Sequence, residues 1–108
     1  MSIALPTPAS DFFAATNSAT PERVADCFEH DATVVDEGHT YRGLDAIRAW
    51  QRAAKEKFDF TSEPVGMTRH GDTLTVTARV VGNFPGSPAN LDHVFRFSGE
   101  KIRSLEIG

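Results

Sequence analysis

Residues 32–50 read Ala32-Thr33-Val34-Val35-Asp36-Glu37-Gly38-His39-Thr40-Tyr41-Arg42-Gly43-Leu44-Asp45-Ala46-Ile47-Arg48-Ala49-Trp50. Three local signals follow one another. Thr33, Val34 and Val35 form a β-branched run, the composition of a short strand. Glu37-Gly38 signals a turn, since Gly accepts positive φ without steric cost. After Gly43 the apolar spacing becomes Leu44, Ile47, Trp50, Ala54, Phe58, one face of a helix of about three to four turns. A strand therefore ends at Asp36, the chain returns through His39 to Arg42, and a helix follows. The carboxylate of Asp36 is placed at a strand end, where it can face a cavity floored by that helix.

Working outward towards the N-terminus, Thr7-Pro8 reads as a helix start, with Thr7 as cap and Pro8 at the first helical position. Ala9, Phe12, Phe13 and Thr16 then recur at helical spacing. Thr20-Pro21-Glu22 repeats the start signal for a second helix that buries Val24, Cys27 and Phe28 and ends near Asp31. Towards the C-terminus, Phe58 and Phe60 alternate with Asp59 and Thr61, as in a half-buried strand. Pro64 marks a bulge or an edge in it, because Pro donates nothing to a ladder. Gly71-Asp72 turns between strands Val65–Arg69 and Thr73–Val81, and residues 83–90 form a loop. Leu91–Ser98, the turn Gly99-Glu100 and Ile102–Ile107 make a final hairpin. Helices first, then antiparallel strands, is an α+β plan.

Several of these stretches resemble the nuclear transport factor 2-like superfamily, which includes ketosteroid isomerases and SnoaL-like polyketide cyclases. The matching residues are Asp31 to Asp36, Tyr41-Arg42-Gly43 with Ile47 and Trp50, and Val94-Phe95-Arg96-Phe97 with Lys101-Ile102. The resemblance covers nearly the whole chain in element order. It implies a single SnoaL-like domain over residues 1–108. Its shape would be a cone of three N-terminal-half helices on a curved, mainly antiparallel (cystatin-like) sheet that encloses a ligand-binding pocket.

Composition narrows the function classes. The chain has 108 residues, enough for one core and too few for two. A net charge of −4 with no dense basic patch argues against nucleic acid. Cys27 is the only cysteine, so no intrachain disulfide or CxxC motif forms, and its apolar neighbours make it a buried small hydrophobe. Met1 to Pro8 carry no basic region and no long apolar run, so no signal peptide and no membrane span is expected, with a cytoplasmic location as the default. No phosphate loop, nucleophile elbow or dinucleotide fingerprint is present, and no cofactor is expected. His39 with Asp36 and His93 matches no metal spacing, so no metal is expected.

Two side chains stand out for chemistry. In ketosteroid isomerases the Asp that ends the matching Ala-Thr-Val-x-Asp stretch is the general base, a role the resemblance carries to Asp36. The alternative is that Asp36 caps its own turn by accepting from the Gly38 amide. The family also places an acid in the penultimate strand, three residues before the Arg of the aromatic-Arg-aromatic pattern. Here that position is His93, and Asp92 lies one residue earlier. Side chains alternate across a strand, so His93, Phe95 and Phe97 share one face and Asp92, Val94 and Arg96 the other. Without a bulge His93 inherits the position, as a hydrogen-bond donor or proton shuttle, and Asp92 turns away, towards Arg96. With a bulge Asp92 takes its place.

A further family position departs: the oxyanion-holding Tyr of the first helix aligns with Phe12, which has no hydroxyl, so steroid isomerase activity is not expected. Phe12, Phe28, Tyr41, Trp50, Phe58 and Phe95 are the expected pocket lining, with Tyr41 packed between strand and helix. Two functions compete. One is acid/base isomerisation, cyclisation or dehydration of a small apolar carbonyl compound by Asp36 and His93. The other is non-catalytic small-molecule binding or dimerisation on the same cone. The resemblance also implies a homodimer through the exposed sheet face, with Val81 and Leu105 as candidate contacts.

Overall fold

A computed structural model describes residues 4–108. The reading of the N-terminus extends over Met1 to Ile3, which lie outside the described residues. Helix α1 spans Thr7–Thr16, a 3₁₀ helix spans Pro21–Cys27, and α2 spans Leu44–Lys57. The strands are β1 (Phe28–Asp36), β2 (His39–Arg42), β3 (Phe60–His70), β4 (Thr73–Gly82), β5 (Ala89–Ser98) and β6 (Lys101–Ile107). They form one sheet in the order β2-β1-β6-β5-β4-β3. Every neighbouring pair is antiparallel except β1 and β6, which run parallel. The α+β plan of three helices on a curved, mainly antiparallel sheet therefore holds, with an open rather than closed sheet.

The deciding stretch folds as its residues dictate. Glu37 and Gly38 both take positive φ, 52° and 78°, and Asp36 pairs with His39 across this two-residue turn. Such primed turns match the right-handed twist of the strands they join. Gly43 (φ 86°, ψ 161°) swings the chain from β2 into α2, a backbone conformation open to little but glycine. In α2 the acid Asp45 sits in the first turn and Lys55 and Lys57 in the last, both favourable to the helix dipole.

Several boundaries differ from the sequence reading. Helix α1 begins at Thr7, preceded by Pro6, and Thr7 makes no side-chain cap bond. Residues 21–27 wind as a 3₁₀ helix, a form suited to short connectors. It stops at Cys27, so β1 starts at Phe28 and not near Thr33: pairing with β6 already holds Phe28 opposite Ile102. Phe58 is extended (φ −140°, ψ 141°) and leaves the face of α2. The register between β3 and β4 slips between Pro64 and Gly66, at the bulge the proline announces.

The core lies between the concave sheet face and the helices. Leu74, Val76, Ala78 and Val80, the inward set of β4, are all buried. Phe12 of α1 packs against Phe13, Phe28, Trp50 and Phe95, with ring centroids 5.3–6.5 Å apart. Leu105 belongs to this core at 1 % exposure and cannot reach a partner through the outer face, whereas Val81 is exposed. The bulge in the pairing of β6 with β5, between Arg96 and Phe97, turns Leu105 inward. No helix among the described residues is long and apolar enough to cross a membrane.

Candidate functional site

The concave face leaves a cavity of about 470 Å³ between β1, β3, β4, β5 and β6 and the two α-helices. Phe12, Trp50 and Phe58 line it, and so do Asp36 and His93. Phe28, Tyr41 and Phe95 do not. Phe28 and Phe95 are closed off beneath Phe12, 6.0 and 5.7 Å from its ring. Tyr41 is half-buried on the far side of Trp50, 6.1 Å from its ring. In each case the neighbouring ring, Phe12 or Trp50, is the one that meets the void.

Sheet register brings the two polar residues into one row. Asp36 of β1 lies opposite Ile107 of β6, and Ile107 lies opposite His93 of β5. Two strand spacings separate the Asp36 and His93 backbones, about 9–10 Å. The pairing of β5 with β4 runs without a slip from Ala89 to Arg96, so no bulge exchanges residues 92 and 93. His93 is 4 % exposed on the concave face. Asp92 is exposed on the other, where it accepts a hydrogen bond from the Thr77 hydroxyl at 2.9 Å, in place of the expected approach to Arg96. Its backbone still serves the row: Asp92 and Gly108 exchange two N–H···O bonds, 2.9 and 3.0 Å, next to the Ile107–His93 pair.

Asp36 is held by α2. The indole Nε1–H of Trp50 donates to its Oδ2 at 3.0 Å, a partner the turn-cap reading did not include. Burial raises the Asp36 pKa above the usual carboxylate range. The Trp50 hydrogen bond opposes the shift, nearby Glu37 adds to it, and the Glu37 amide and His39 oppose it.

His93 stands differently. Its Nδ1 is 3.2 Å from the carbonyl oxygen of Leu91, which can only accept, so the ring proton is assigned to Nδ1. Nε2 is then an acceptor, and the donor role does not fit this tautomer. Burial lowers the His93 pKa to about 4, against the smaller opposing effects of the Leu91 bond and of Asp92. The ring is therefore neutral at pH 7.

Sequence reasoning missed a second polar pair. Gln51, 2 % exposed, donates from Nε2 to Thr16 Oγ1 at 2.8 Å, and both residues line the cavity. The signal was present: Gln51 sits four residues after Ile47 and three before Ala54, on the buried stripe of α2. Ser62, Phe60 and Phe84 also line the cavity, and Lys57 is the one cation of the lining among the described residues. His30, His39 and His70 are exposed, and no cluster of three metal-ligating side chains occurs among the described residues. Cys27 is buried, with its thiol pushed up to about 11 mainly by that burial, which leaves it inert as a nucleophile.

The SnoaL-like domain model matches residues 9–105, nearly the whole length. The chain belongs to the SnoaL-like family. Among solved structures, a candidate polyketide cyclase from Sinorhizobium meliloti is 36 % identical, with a TM-score of 0.91, covering 96 % of this chain and 95 % of that one. A protein of ketosteroid isomerase-like fold from Catenulispora acidiphila, solved with trimethylamine, is 24 % identical with a TM-score of 0.86, covering 97 % and 86 %. A candidate isomerase of the SnoaL-like family from Agrobacterium tumefaciens is 22 % identical with a TM-score of 0.77, covering 94 % and 92 %. The last two likenesses concern fold alone. Comparison with the curated proteins gives no match.

Proposed function

We propose that this SnoaL-like protein is an acid/base enzyme of isomerase or cyclase type, acting on a hydrophobic carbonyl compound. The observation that supports it best is the row Asp36–Ile107–His93, which sets two polar groups along one apolar wall with an aliphatic side chain between them. Asp36 acts as the base. Burial strengthens it as a proton acceptor, and Trp50 fixes its orientation. It takes a proton from the carbon beside the carbonyl, and the electron pair of that C–H bond moves into an enolate. In isomerisation the same proton returns to another carbon. In cyclisation the enolate carbon attacks a second carbonyl carbon of the substrate, and the proton goes to the new alkoxide. His93 accepts a hydrogen bond at Nε2 from a substrate hydroxyl and sets the substrate's direction along the row.

The likeness to the Sinorhizobium protein at 36 % identity supports the cyclase branch. A steroid isomerase is not proposed, because Phe12 offers no hydroxyl. A non-catalytic binding module is the second reading, favoured by the many apolar side chains, such as Phe12, Phe58, Val80 and Ile107, that line the cavity. Exchange of α-protons in D₂O, followed by NMR on a series of aromatic methyl ketones, separates the two. Acceleration over buffer supports the enzyme. Bound ketones with no acceleration across the series would leave the binding module.

A further inference from the structure

The cavity's second polar pair has no part in the chemistry above, and its hydrogen bonding is incomplete. Thr16 and Gln51 are 3 % and 2 % exposed and line the cavity, whose other polar side chains are Asp36, Glu37, Lys57, Ser62 and His93. Burying polar groups among hydrocarbon is unfavourable unless their bonds are made. Gln51 Nε2 donates to Thr16 Oγ1, which uses a lone pair of the hydroxyl and leaves its proton. A helical Thr commonly returns that proton to the carbonyl four residues back, here Phe12. Thr16 makes no such bond, although Ser18 in the same segment does donate to Ala15 O at 2.7 Å. No fully enclosed side-chain nitrogen or oxygen among the described residues lacks a partner, so Gln51 Oε1, which makes no bond, is not fully enclosed, and Thr16 Oγ1, bonded only by Gln51, belongs to a residue of the cavity lining.

The placement follows from two helices. Thr16 sits one turn beyond Phe12 on the buried stripe of α1. On α2, consecutive residues reach in two directions: Trp50 holds Asp36 of β1, and Gln51 holds Thr16 of α1. The base and the hydroxyl are thus each one hydrogen bond from neighbouring residues of the same helix. The field around the hydroxyl also limits its partner. Among the described residues the only cation of the lining is Lys57, which is exposed, so a buried carboxylate or phosphate would go uncompensated.

We propose that Thr16, held in place by Gln51, is the hydrogen-bond donor that selects and orients a neutral carbonyl oxygen of the ligand, with the free O–H pointing into the cavity. This rests on the reading that the ligand is a carbonyl compound and names where its oxygen binds. Thr16 touches the ligand, and Gln51 is a positioning residue.

Three probes of one ring system test it: 2-acetonaphthone, its isostere 2-isopropenylnaphthalene (C=CH₂ in place of C=O) and 2-naphthoate. Quenching of Trp50, the single tryptophan and a cavity residue, reports binding. One neutral hydrogen bond predicts that the ketone binds about 3–10-fold tighter than the isostere, and that the carboxylate binds weakest. Thr16→Val should erase the preference for the ketone over the isostere, while Thr16→Ser should restore it. In Gln51→Leu the preference should shrink without vanishing. The carbonyl stretch of wild-type-bound ketone, compared with ketone in hexane, needs no variant and should move to lower frequency. Equal binding of ketone and isostere, an unshifted stretch, or a preference that survives Thr16→Val would each overturn the assignment. An intact preference without α-proton exchange would count against the catalytic reading alone and leave this one standing.

Discussion

Asp36 and His93 occupy one register row of the sheet, on strands separated only by the strand that carries Ile107. The parallel pairing of β1 with β6 is what brings residues 57 positions apart into line, and the Asp92–Gly108 backbone pair fixes the row's far end. His93 is buried and Asp36 half-buried, and the consequences of burial for their proton affinities run in opposite directions.

That opposition predicts a pH dependence of stability. His93 has its pKa lowered in the folded state to about 4 from 6.5, so between these values the unfolded chain binds more protons there. Stability from this group is full above about pH 6.5 and is lost as pH falls through 4, by about 3 kcal/mol in all. Asp36, with its pKa raised, has the reverse sign, favouring the fold at low pH and losing that contribution as pH rises through its folded value. Urea denaturation at intervals from pH 7 to pH 4 should show falling stability in the wild type and a flatter profile in His93→Gln. Equal slopes in the two proteins would show that His93 is not held neutral.

Trp50 joins packing to the site, since its ring is 7 % exposed and its N–H holds Asp36. Trp50→Ala should lose about 3–5 kcal/mol through the cavity left behind. Trp50→Phe retains much of the volume and removes the bond, a loss of about 1.5–3 kcal/mol for a hydrogen bond to a charged group. Trp50 is the only tryptophan, so circular dichroism must report the denaturation. A loss under 1 kcal/mol in Trp50→Ala would mean that the indole is not packed as described.

How much of this was legible beforehand follows from the kind of signal each residue carries. Alternation in β4 and the Glu37-Gly38 turn are short-range, so the strands and Asp36 could be placed from sequence. The opposite facing of Asp92 and His93 follows from parity alone, once β5 is known to be regular. What could not be read depends on contacts distant in sequence. Phe28, Phe95 and Tyr41 are as aromatic as Phe12, and only the packing of Phe12 and Trp50 against them decides which rings meet the void. Gln51 was hidden by its polarity, because its burial depends on Thr16, 35 residues away. Leu105 was misassigned because a bulge in β6 changes the parity on which its face depends.

Gly82 marks where β4 meets the start of β3. A Cβ there would lie 2.1 Å from the Asp59 carbonyl oxygen and 2.7 Å from Phe60 Cβ. Gly82→Ala must push β3 away beside the cavity mouth, and overpacking of this kind typically destabilises by about 1–3 kcal/mol. Thermal unfolding should show the loss. An unchanged midpoint would contradict the close approach.

A homodimer through the outer sheet face is proposed with Val81 as a contact and without Leu105. Sedimentation equilibrium at micromolar concentration should give twice the chain mass, and Val81→Asp should shift it towards the monomer. A wild-type monomer would remove the proposal.

The central claim is that Asp36 and His93, and not Asp92, face the reacting ligand. The direct measurement is the rate of α-proton exchange of 6-hydroxy-2-acetonaphthone, whose hydroxyl can donate to His93, in D₂O for three single variants of equal stability. Asp36→Asn should lower the catalysed rate by about 10²–10⁴-fold, the range for losing a general base. His93→Gln should lower it less, and Asp92→Asn should leave it unchanged, since its carboxylate bonds Thr77 on the opposite face. Loss of exchange in Asp92→Asn with full activity in Asp36→Asn would contradict the account.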